Sequence, residues 1–425
     1  MKILLSFIIS FTFLTASAQG LPADFCQPNI KTIKFFRQDN QASLPVMRLN
    51  SGDQLELDFD DMDAYAKSYY YTFQLYNADW TPADINPFDY IRGFTQMRLS
   101  EYRQSYSTQS KYVHYQAILP DRNSVPSKSG NYLLKVYLDG DTSKLAFTKK
   151  FFVADNKAAV SVQIMQPFNS ELFRTTQKIQ ISVNDGQLNP FNPADQIKLV
   201  ILQNYRLDNA ITNIRPSFIR SNILEYNGEE DCLFPAGREY RWADLRSFRL
   251  LGDRVERIDK NSQPNEVYMR PDLSRTQQSY IYLKNLVGWY NITATESINP
   301  WWESDYSNVH FTYVPANHQP YAGKDVFLMG EITGNTTGAD AKMQYNAEKG
   351  VYEKTMLMKQ GYYSYCYVTK DRDLASKADA SITDGNYWET ENEYTVLVYF
   401  RGMTDRYDQL VSLTITNSRN GRGGF

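Results

Sequence analysis

Residues 130–153, with the sequence GNYLLKVYLDGDTSKLAFTKKFFV, decide the fold class of this chain. In the first half of the stretch, four side chains share one apolar face of an extended segment: Tyr132, Leu134, Val136 and Leu138. Lys135 marks the opposite face, and the turn residues 139–141 lead into a second strand-like run, 145–153. A two-residue period on both sides of a turn predicts a β-hairpin.

The same alternation recurs upstream of this hairpin. Apolar residues separated by single polar ones include Leu55, Leu57 and Phe59, and then Tyr71, Phe73 and Leu75. About seven or eight such runs between residues 24 and 154 are typical of an immunoglobulin-like sandwich. We therefore predict an all-β protein built from tandem immunoglobulin-like or early-set-like β-sandwich domains.

The composition agrees with this fold class and limits the function. The 425 residues include 32 Tyr, 23 Phe and 6 Trp, and aromatic residues favour half-buried pleated surfaces. With 45 basic and 48 acidic residues the formal net charge is −3, which excludes a nucleic-acid protein held by a strongly basic surface. Only three His and three Cys are available for metal, acid–base or thiol chemistry.

The first eighteen residues have the pattern of a signal peptide. Lys2 supplies a positive start, residues 3–13 form an apolar core, and Ala-Ser-Ala at 16–18 fits a cleavage site. No later stretch approaches the roughly eighteen consecutive apolar residues of a membrane span. We therefore expect residues 1–18 to be removed and the mature chain to be exported without a direct membrane span.

The domain boundaries are predicted from linker-like stretches. Residues 154–159 and 315–320 separate strand-like regions, so we expect sandwiches over 19–154, 155–318 with longer insertions, and 319–425. The last region resembles, over about 50 residues, the early-set sandwich modules attached to starch- and glycogen-acting proteins. That likeness supports a sandwich fold better than it supports sugar binding.

Three local patterns within these regions have alternatives that the sequence leaves open. The apolar run 197–202 is suited to a central strand, and residues 242–251 have either the spacing of a helix or an irregular course with two buried aromatic side chains. Cys366 fits a buried small hydrophobe in an alternating strand. A disulfide between Cys26 and Cys232 is compatible with export but not required by the sequence.

No catalytic or metal-binding pattern is present in the sequence. His114 and His310 lie in strand-like segments, where a structural, hydrogen-bonded histidine is the better interpretation. Neither a Gly-x-Ser-x-Gly elbow nor a zinc-ligand spacing occurs. Four acidic residues close together are either calcium ligands or a solvated turn, the second being favoured because the EF-hand glycine is missing: Asp58, Asp60, Asp61 and Asp63.

Aromatic clusters are the most distinctive surface candidates. Large rings occur on both faces of several strands, although an isolated sandwich buries only one face. Such rings either pack on a neighbouring domain or bind an external partner. The interface candidates are Tyr69, Tyr70, Trp301, Trp302, Tyr363 and Tyr365.

Five stretches resemble the Plug family of the type IX secretion system, the protein-export route of Bacteroidetes. They are residues 234–249, 304–311, 359–365, 389–401 and 406–410. One departure is the turn within 283–292, where the family prefers an acidic residue and Asn before Gly-x-Tyr. Within the first stretch, the arginines at 241, 246 and 249 are expected either to contact a partner or to pair internally with Asp244 and Glu239.

The resemblance implies a non-enzymatic periplasmic protein without cofactors. It is expected to close the periplasmic mouth of a large outer-membrane β-barrel translocon when no cargo passes, with the barrel and its associated subunits as partners. Two other functions remain open from the sequence. One is a carbohydrate-binding envelope protein that uses Trp301 and Trp302 as a sugar platform, and the other is a secreted glycosidase with accessory sandwiches.

Overall fold

The computed structural model describes residues 24–372 and 376–420. The predicted signal peptide, residues 1–18, lies outside these described residues. The described chain folds almost entirely into antiparallel and mixed β-sheets, which confirms the predicted all-β class.

The first sandwich spans residues 30–154 and contains the predicted hairpin as its strands β10 and β11. Its strands are β1 (Ile30–Arg37), β2 (Val46–Arg48), β3 (Leu55–Asp61), β4 (Tyr69–Tyr76), β5 (Ile91–Gly93), β6 (Met97–Arg98), β7 (Glu101–Gln104), β8 (Val113–Leu119), β9 (Ser124–Pro126), β10 (Gly130–Leu138) and β11 (Leu145–Ala154). One sheet, here called the β3 sheet, has the order β1-β3-β8-β7, and the β10 sheet has the order β2-β11-β10-β4-β6. Alternating residues of both sheets, such as Phe59 and Leu134, fill the core between them.

A second sandwich begins after residue 158. Its first strands are β12 (Ala159–Met165), β13 (Thr176–Asn184), β14 (Ile197–Gln203), β15 (Arg206–Ile211), β16 (Phe218–Arg220), β17 (Ile223–Tyr226) and β18 (Leu233–Pro235). The chain then leaves this sandwich before its second sheet is complete.

An inserted sandwich follows, between residues 241 and 371. Its strands are β19 (Arg241–Asp244), β20 (Val255–Asp259), β21 (Asn265–Met269), β22 (Asp272–Leu273), β23 (Tyr290–Asn291), β24 (Tyr306–Val314), β25 (Lys324–Met329), β26 (Gln344–Asn346), β27 (Val351–Lys359) and β28 (Tyr362–Asp371). One layer is centred on β28 and the other has the order β20-β21-β24-β27-β26.

The second sandwich is completed by the last two strands of the chain. These are β29 (Glu393–Phe400) and β30 (Gln409–Asn417), and β29 pairs with β14 along its whole length, from Ile197 opposite Phe400 to Gln203 opposite Tyr394. The second sandwich is therefore discontinuous in sequence, with the inserted sandwich placed between β18 and β29.

This strand pairing divides the chain differently from the predicted domains. The predicted boundary at residue 318 separates β24 from β27, although the two strands pair directly over eight residue pairs from Tyr306 opposite Lys359 to Tyr313 opposite Tyr352. It also assigns β14 and β29 to different domains. The reason is that linker-like composition marks breaks along the chain, whereas hydrogen-bonded pairing joins strands that are distant in sequence.

The run 197–202 is a central strand, as predicted, because β14 lies between β15 and β29. Its continuous apolar character reflects burial on both faces. Leu199 and Ile201 face the core of the second sandwich, while Val200 and Leu202 pack on the first sandwich. This apolar contact joins the second sandwich to the outer face of the β10 sheet, where it meets Leu133 and Phe152.

The predicted helix at 242–251 is wrong. Residues 241–244 form β19, and the rest of the stretch has no regular structure, in agreement with the irregular alternative. Leu245 and Phe248 are buried, whereas the second aromatic side chain, Trp242, is only partly buried. Helices in the described residues have at most four residues and are α1 (Pro87–Tyr90), α2 (Pro193–Gln196), α3 (Pro300–Glu303) and the 3-10 turn Glu331–Thr333. In this part of the chain no helix is therefore long and apolar enough to cross a membrane.

Candidate functional site

The outer face of the β3 sheet carries charged residues that the fold buries. Because side chains alternate along a strand, Leu57 and Phe59 of β3 face the core of the first sandwich while Asp58 and Asp60 face outward. The inserted sandwich covers this outward face, and both carboxylates have no solvent exposure. Asp58 and Asp60 are therefore in neither a calcium loop nor a solvated turn, whereas Asp63 lies exposed in the turn after β3, as the solvated alternative expected.

Asp60 accepts hydrogen bonds from both sandwiches. Its oxygens lie 2.6 Å from Lys359 Nζ and 2.5 Å from the Tyr306 hydroxyl, both on the inserted sandwich, and 2.8 Å from His114 Nδ1 on β8. Burial by itself would raise the pKa of Asp60, but the charges and hydrogen bonds of Lys359 and His114 lower it below the usual range. Asp60 is therefore an ionised carboxylate inside the protein.

His114 lies between two carboxylates. Its Nδ1 contacts Asp60, and its Nε2 lies 3.1 Å from Asp58 Oδ1. Burial opposes the charged ring, yet the hydrogen bonds to Asp58 and Asp60 raise the pKa of His114 above its usual value. An imidazolium donates from both nitrogens, which matches two acceptors, so the histidine has the structural role predicted for it.

Lys34 adds a second charged connection across the same contact. The side chain is fully buried on β1, opposite Asp58, and its Nζ donates to Glu331 at 2.5 Å and to the Tyr290 carbonyl at 2.9 Å. Burial lowers the pKa of Lys34, an effect that Glu331 opposes. Glu331 and Tyr290 belong to the inserted sandwich, so this lysine also spans the two units.

These residues form what we call the junction cluster: Lys34, Asp58, Asp60, His114, Tyr306, Glu331 and Lys359. Two of its ion pairs, Lys359 with Asp60 and Lys34 with Glu331, join the first sandwich to the inserted one, whereas His114 pairs with Asp58 and Asp60 inside the first. Removing one member of such a buried set typically costs about 3–5 kcal/mol because an unpaired charge stays buried. The chemistry that the arrangement supports is therefore attachment of one sandwich to another.

A second buried charge network joins the inserted sandwich to the segment between β28 and β29. Arg241 donates to Asp384 at 2.5 Å and to Asp272 at 3.1 Å. Asp272 also accepts from the hydroxyls of Tyr365 and Tyr367, both at 2.8 Å. Of the two alternatives, contact with a partner protein or an internal ion pair, Arg241 therefore shows the second. Its carboxylates are distant in sequence and are not the expected Asp244 and Glu239.

Two other residues of that arginine-rich stretch, Arg246 and Glu239, have partners of a different kind. Arg246 does pair with Asp244, at 2.6 Å on the protein surface. Glu239 instead accepts from the Tyr280 hydroxyl and from the Asn285 amide, at 2.6 and 2.8 Å. Much of the stretch therefore holds the interior of the protein together.

Three of the six predicted interface residues are core residues. Tyr69, Tyr363 and Tyr365 have at most 3 % exposure, and the expectation that they contact a partner is incompatible with this position. Their hydroxyls bond internally: Tyr69 donates to Asp61 and Tyr363 to the Lys359 carbonyl, at 2.8 and 2.6 Å. Because these hydroxyl groups find hydrogen-bond partners inside the protein, tyrosine can fill a core. The prediction assumed that one face of each strand is exposed and therefore placed these rings at the surface.

The other three candidates lie at or near the surface. Tyr70 points away from the core of the first sandwich and is partly buried. Trp301, on α3, stacks on His114 with ring centroids 5.4 Å apart and on Phe36 at 6.3 Å. Trp301 thus packs between sandwiches, which is one of the alternatives that the sequence left open for these rings.

Trp302 follows on α3 and is only partly covered. The Arg103 guanidinium of β7 lies 4.9 Å from its ring centre. Because Trp301 is occupied by Phe36 and His114 and Trp302 by Arg103, the two indoles do not form an open platform of the kind that sugar binding requires.

The cysteines and acidic groups show no metal or disulfide site in the described ranges. Cys26 is exposed, Cys232 and Cys366 are buried, and all three are free thiols. Cys366 is buried in β28, which confirms the prediction of a small core residue, and this burial raises the pKa of its thiol to about 12. Among residues 24–372 and 376–420, no group of three His, Cys, Asp or Glu side chains is placed to hold a metal ion.

Sequence reasoning missed the basic half of the junction cluster. Lys34 and Lys359 sit at positions that an isolated strand would expose, so nothing in their local pattern indicated burial. The only available signal was that Lys359 opens one of the five stretches that carry the family resemblance.

Comparisons with known proteins agree with that resemblance. Residues 30–155 match the family described as type 9 secretion system plug protein 1st domain. This range is the first sandwich, whereas the five stretches that carry the resemblance lie outside it. The search of curated proteins gave no match.

A solved structure extends the similarity to nearly the whole chain. The crystal structure of a hypothetical protein from Parabacteroides merdae ATCC 43184, at 2.30 Å resolution, is similar with a TM-score of 0.89 and 30 % sequence identity. The similarity covers 94 % of this chain and 99 % of that one. The discontinuous arrangement of sandwiches therefore has a counterpart in an experimental structure, and the match over the first sandwich shows that this chain belongs to the plug protein family of the type IX secretion system.

Proposed function

We propose that this protein closes the periplasmic mouth of the outer-membrane translocon barrel of the type IX secretion system while no cargo is in transit. The observation that carries the proposal is the match of the first sandwich, residues 30–155, to the first domain of the plug protein. In this role the protein acts as a non-enzymatic periplasmic subunit, delivered by the signal peptide expected at residues 1–18.

The mechanical demands of closure agree with the way the sandwiches are joined. A stopper has to keep its shape when a pore opens beneath it, so independent movement of its domains would weaken the seal. The junction cluster attaches the inserted sandwich to the first one, and apolar residues such as Leu202 attach the second. Buried connections on two sides favour a single rigid body.

Release is the second demand. A stopper that leaves its pore needs a surface that is stable in water when free, because a large apolar interface would aggregate. The near-neutral charge and the presence of exposed aromatic residues such as Tyr106 suit a contact that forms and breaks.

Closure is tested by a leak experiment in the native bacterium. Cells lacking this protein are expected to admit a large fluorescent dye across the outer membrane, and cells lacking both it and the barrel are expected to exclude the dye again. Re-expression of the full chain should restore exclusion in the first strain. A leak that persists without the barrel, or the absence of any leak, contradicts the proposed function.

Contact with the barrel is tested by photo-cross-linking in intact envelopes. A photoreactive residue replaces Trp302, near the joint of two sandwiches, and a matched control replaces Lys349, an exposed residue of the inserted sandwich. Capture of the barrel from at least one surface position supports the proposal. Capture of other envelope proteins from a full surface scan, without the barrel, counts against it.

A further inference from the structure

Strand β7 forms a free edge of the β3 sheet. It pairs with β8 on one side, and in the described residues no strand pairs with the other. All four of its residues are exposed. Exposed edges are usually blunted by lysine, proline or a bulge, because their unpaired main-chain groups accept another strand.

The hydrogen-bond register shows which main-chain groups are free. The Ser105 N–H donates to the Tyr112 carbonyl at 2.9 Å, just beyond the end of β7. Since bonded and non-bonded pairs alternate in an antiparallel ladder, Arg103 and Glu101 bond to β8. The N–H and C=O groups of Tyr102 and Gln104 therefore point away from the sheet, toward the open edge.

Apolar side chains flank this edge. Tyr102 is 49 % exposed and its ring lies 5.7 Å from that of Tyr115, at the border of the core. Beyond the strand, Tyr106 is 70 % exposed. Its N–H donates to the Trp302 carbonyl at 2.8 Å, and this bond places α3 next to the end of β7.

Arg103 supplies a charge without a carboxylate partner. Its guanidinium lies over Trp302, and it forms no ion pair with any acidic residue of the described chain. A guanidinium held over an aromatic ring is already positioned, so a carboxylate can bind it in a bidentate manner at little entropic cost. The edge is thus complementary to an acidic residue.

We propose that the β7 edge binds an extended acidic segment of the translocon barrel by strand addition. The segment bonds to the main-chain groups of Tyr102 and Gln104, places a carboxylate on Arg103, and rests an apolar side chain against Tyr106. This inference rests on the proposed function and deepens it, because it assigns the surface and the chemistry of the contact.

The test uses the full-length protein and the purified barrel in detergent. Gln104→Pro removes the outward N–H, while Gln104→Ala keeps it and serves as the matched control; β8 pairing is untouched because that N–H points away. We expect the proline variant to bind about tenfold more weakly and the alanine variant within about twofold of the unaltered protein. Arg103→Glu should also lose about tenfold, and Arg103→Lys less.

Hydrogen exchange provides a readout that does not depend on any variant. On addition of the barrel, the amides of Tyr102 and Gln104 should become protected, while those of the exposed edge strand β16 should not. Full affinity of Gln104→Pro together with unprotected amides overturns the edge proposal and leaves the plug function standing.

Two further outcomes separate the possibilities. If the unaltered protein does not bind the barrel at all, both the edge proposal and the proposed function fail. If the amides of β7 become protected by self-association, seen as a dimer in sedimentation, the edge is occupied by a second copy and the proposal is overturned.

Discussion

Replacing Asp60 by asparagine removes the central charge of the junction cluster without changing the size of the side chain. Asp60 is fully buried and accepts from Lys359 at 2.6 Å and from His114 at 2.8 Å. In Asp60→Asn both cations stay buried with their main counter-charge gone. Breaking a buried ionic set in this way typically costs about 3–5 kcal/mol, a large share of the stability of an ordinary domain.

The assay is urea unfolding followed by near-UV circular dichroism and by tryptophan fluorescence, to which Trp301 beside the cluster contributes together with the other five tryptophans. Asp53→Asn is the matched control, because it makes the same chemical change in a pair at the surface, where the Asp53 side chain is 16 % exposed and leaves behind an Arg48 side chain that is 60 % exposed and can be solvated. That pair should contribute no more than about 1 kcal/mol. If the protein unfolds in more than one step, the loss of unfolding free energy should appear in the transition of the first or of the inserted sandwich.

A double variant examines the physical cause. In Asp60→Asn combined with Lys359→Met one unpaired cation is gone, so the double variant should be more stable than the sum of the single losses indicates, by at least about 1 kcal/mol. An Asp60→Asn protein as stable as Asp53→Asn, or two strictly additive single losses, would refute the view that this charge set joins the sandwiches.

Three more outcomes follow from the same structure. The pKa of His114 is raised above about 6.5, so the stability it contributes is complete below that pH and lost as the pH rises through the raised value; the difference in unfolding free energy between the unaltered protein and His114→Gln should shrink from pH 6 to 9. Leu202→Ala, at the apolar contact of the first and second sandwiches, should cost about 2–5 kcal/mol in urea unfolding, whereas a similar loss from the exposed Leu250→Ala would contradict this explanation. Titration with a thiol reagent should detect Cys26 in the native protein and the two buried cysteines only after denaturation, and fewer than three thiols in the denatured protein would indicate a disulfide.

Local patterns predicted the strands well and their partners poorly. The hairpin of β10 and β11 could be predicted because both strands and their turn lie within 24 consecutive residues, 130–153. The pairing of β14 with β29 joins residues about two hundred positions apart, and no periodicity carries that information. The third unit was therefore expected at the C-terminus, whereas it is inserted in the second.

The candidate site shows the same division. Two-residue alternation identified Leu57 and Phe59 as core residues and correctly placed Asp58 on the other face of β3, but Asp60 was assigned only to an acidic turn. It could not show that another sandwich covers that face, so the acidic residues were expected in water. Tyr365 was likewise expected at the surface and is buried, because the carboxylate of the buried Asp272 accepts a hydrogen bond from its hydroxyl.

By itself, the sequence determined the β class, the positions of many strands and the family resemblance, because these depend on residue order over short distances. Only the tertiary structure decided which faces are buried, which charges meet and which aromatic rings reach the surface. The physical reason is that the burial of a strand's second face depends on a layer contributed by distant parts of the chain, and this layer turns Asp60 and Lys359 from surface charges into a buried connection.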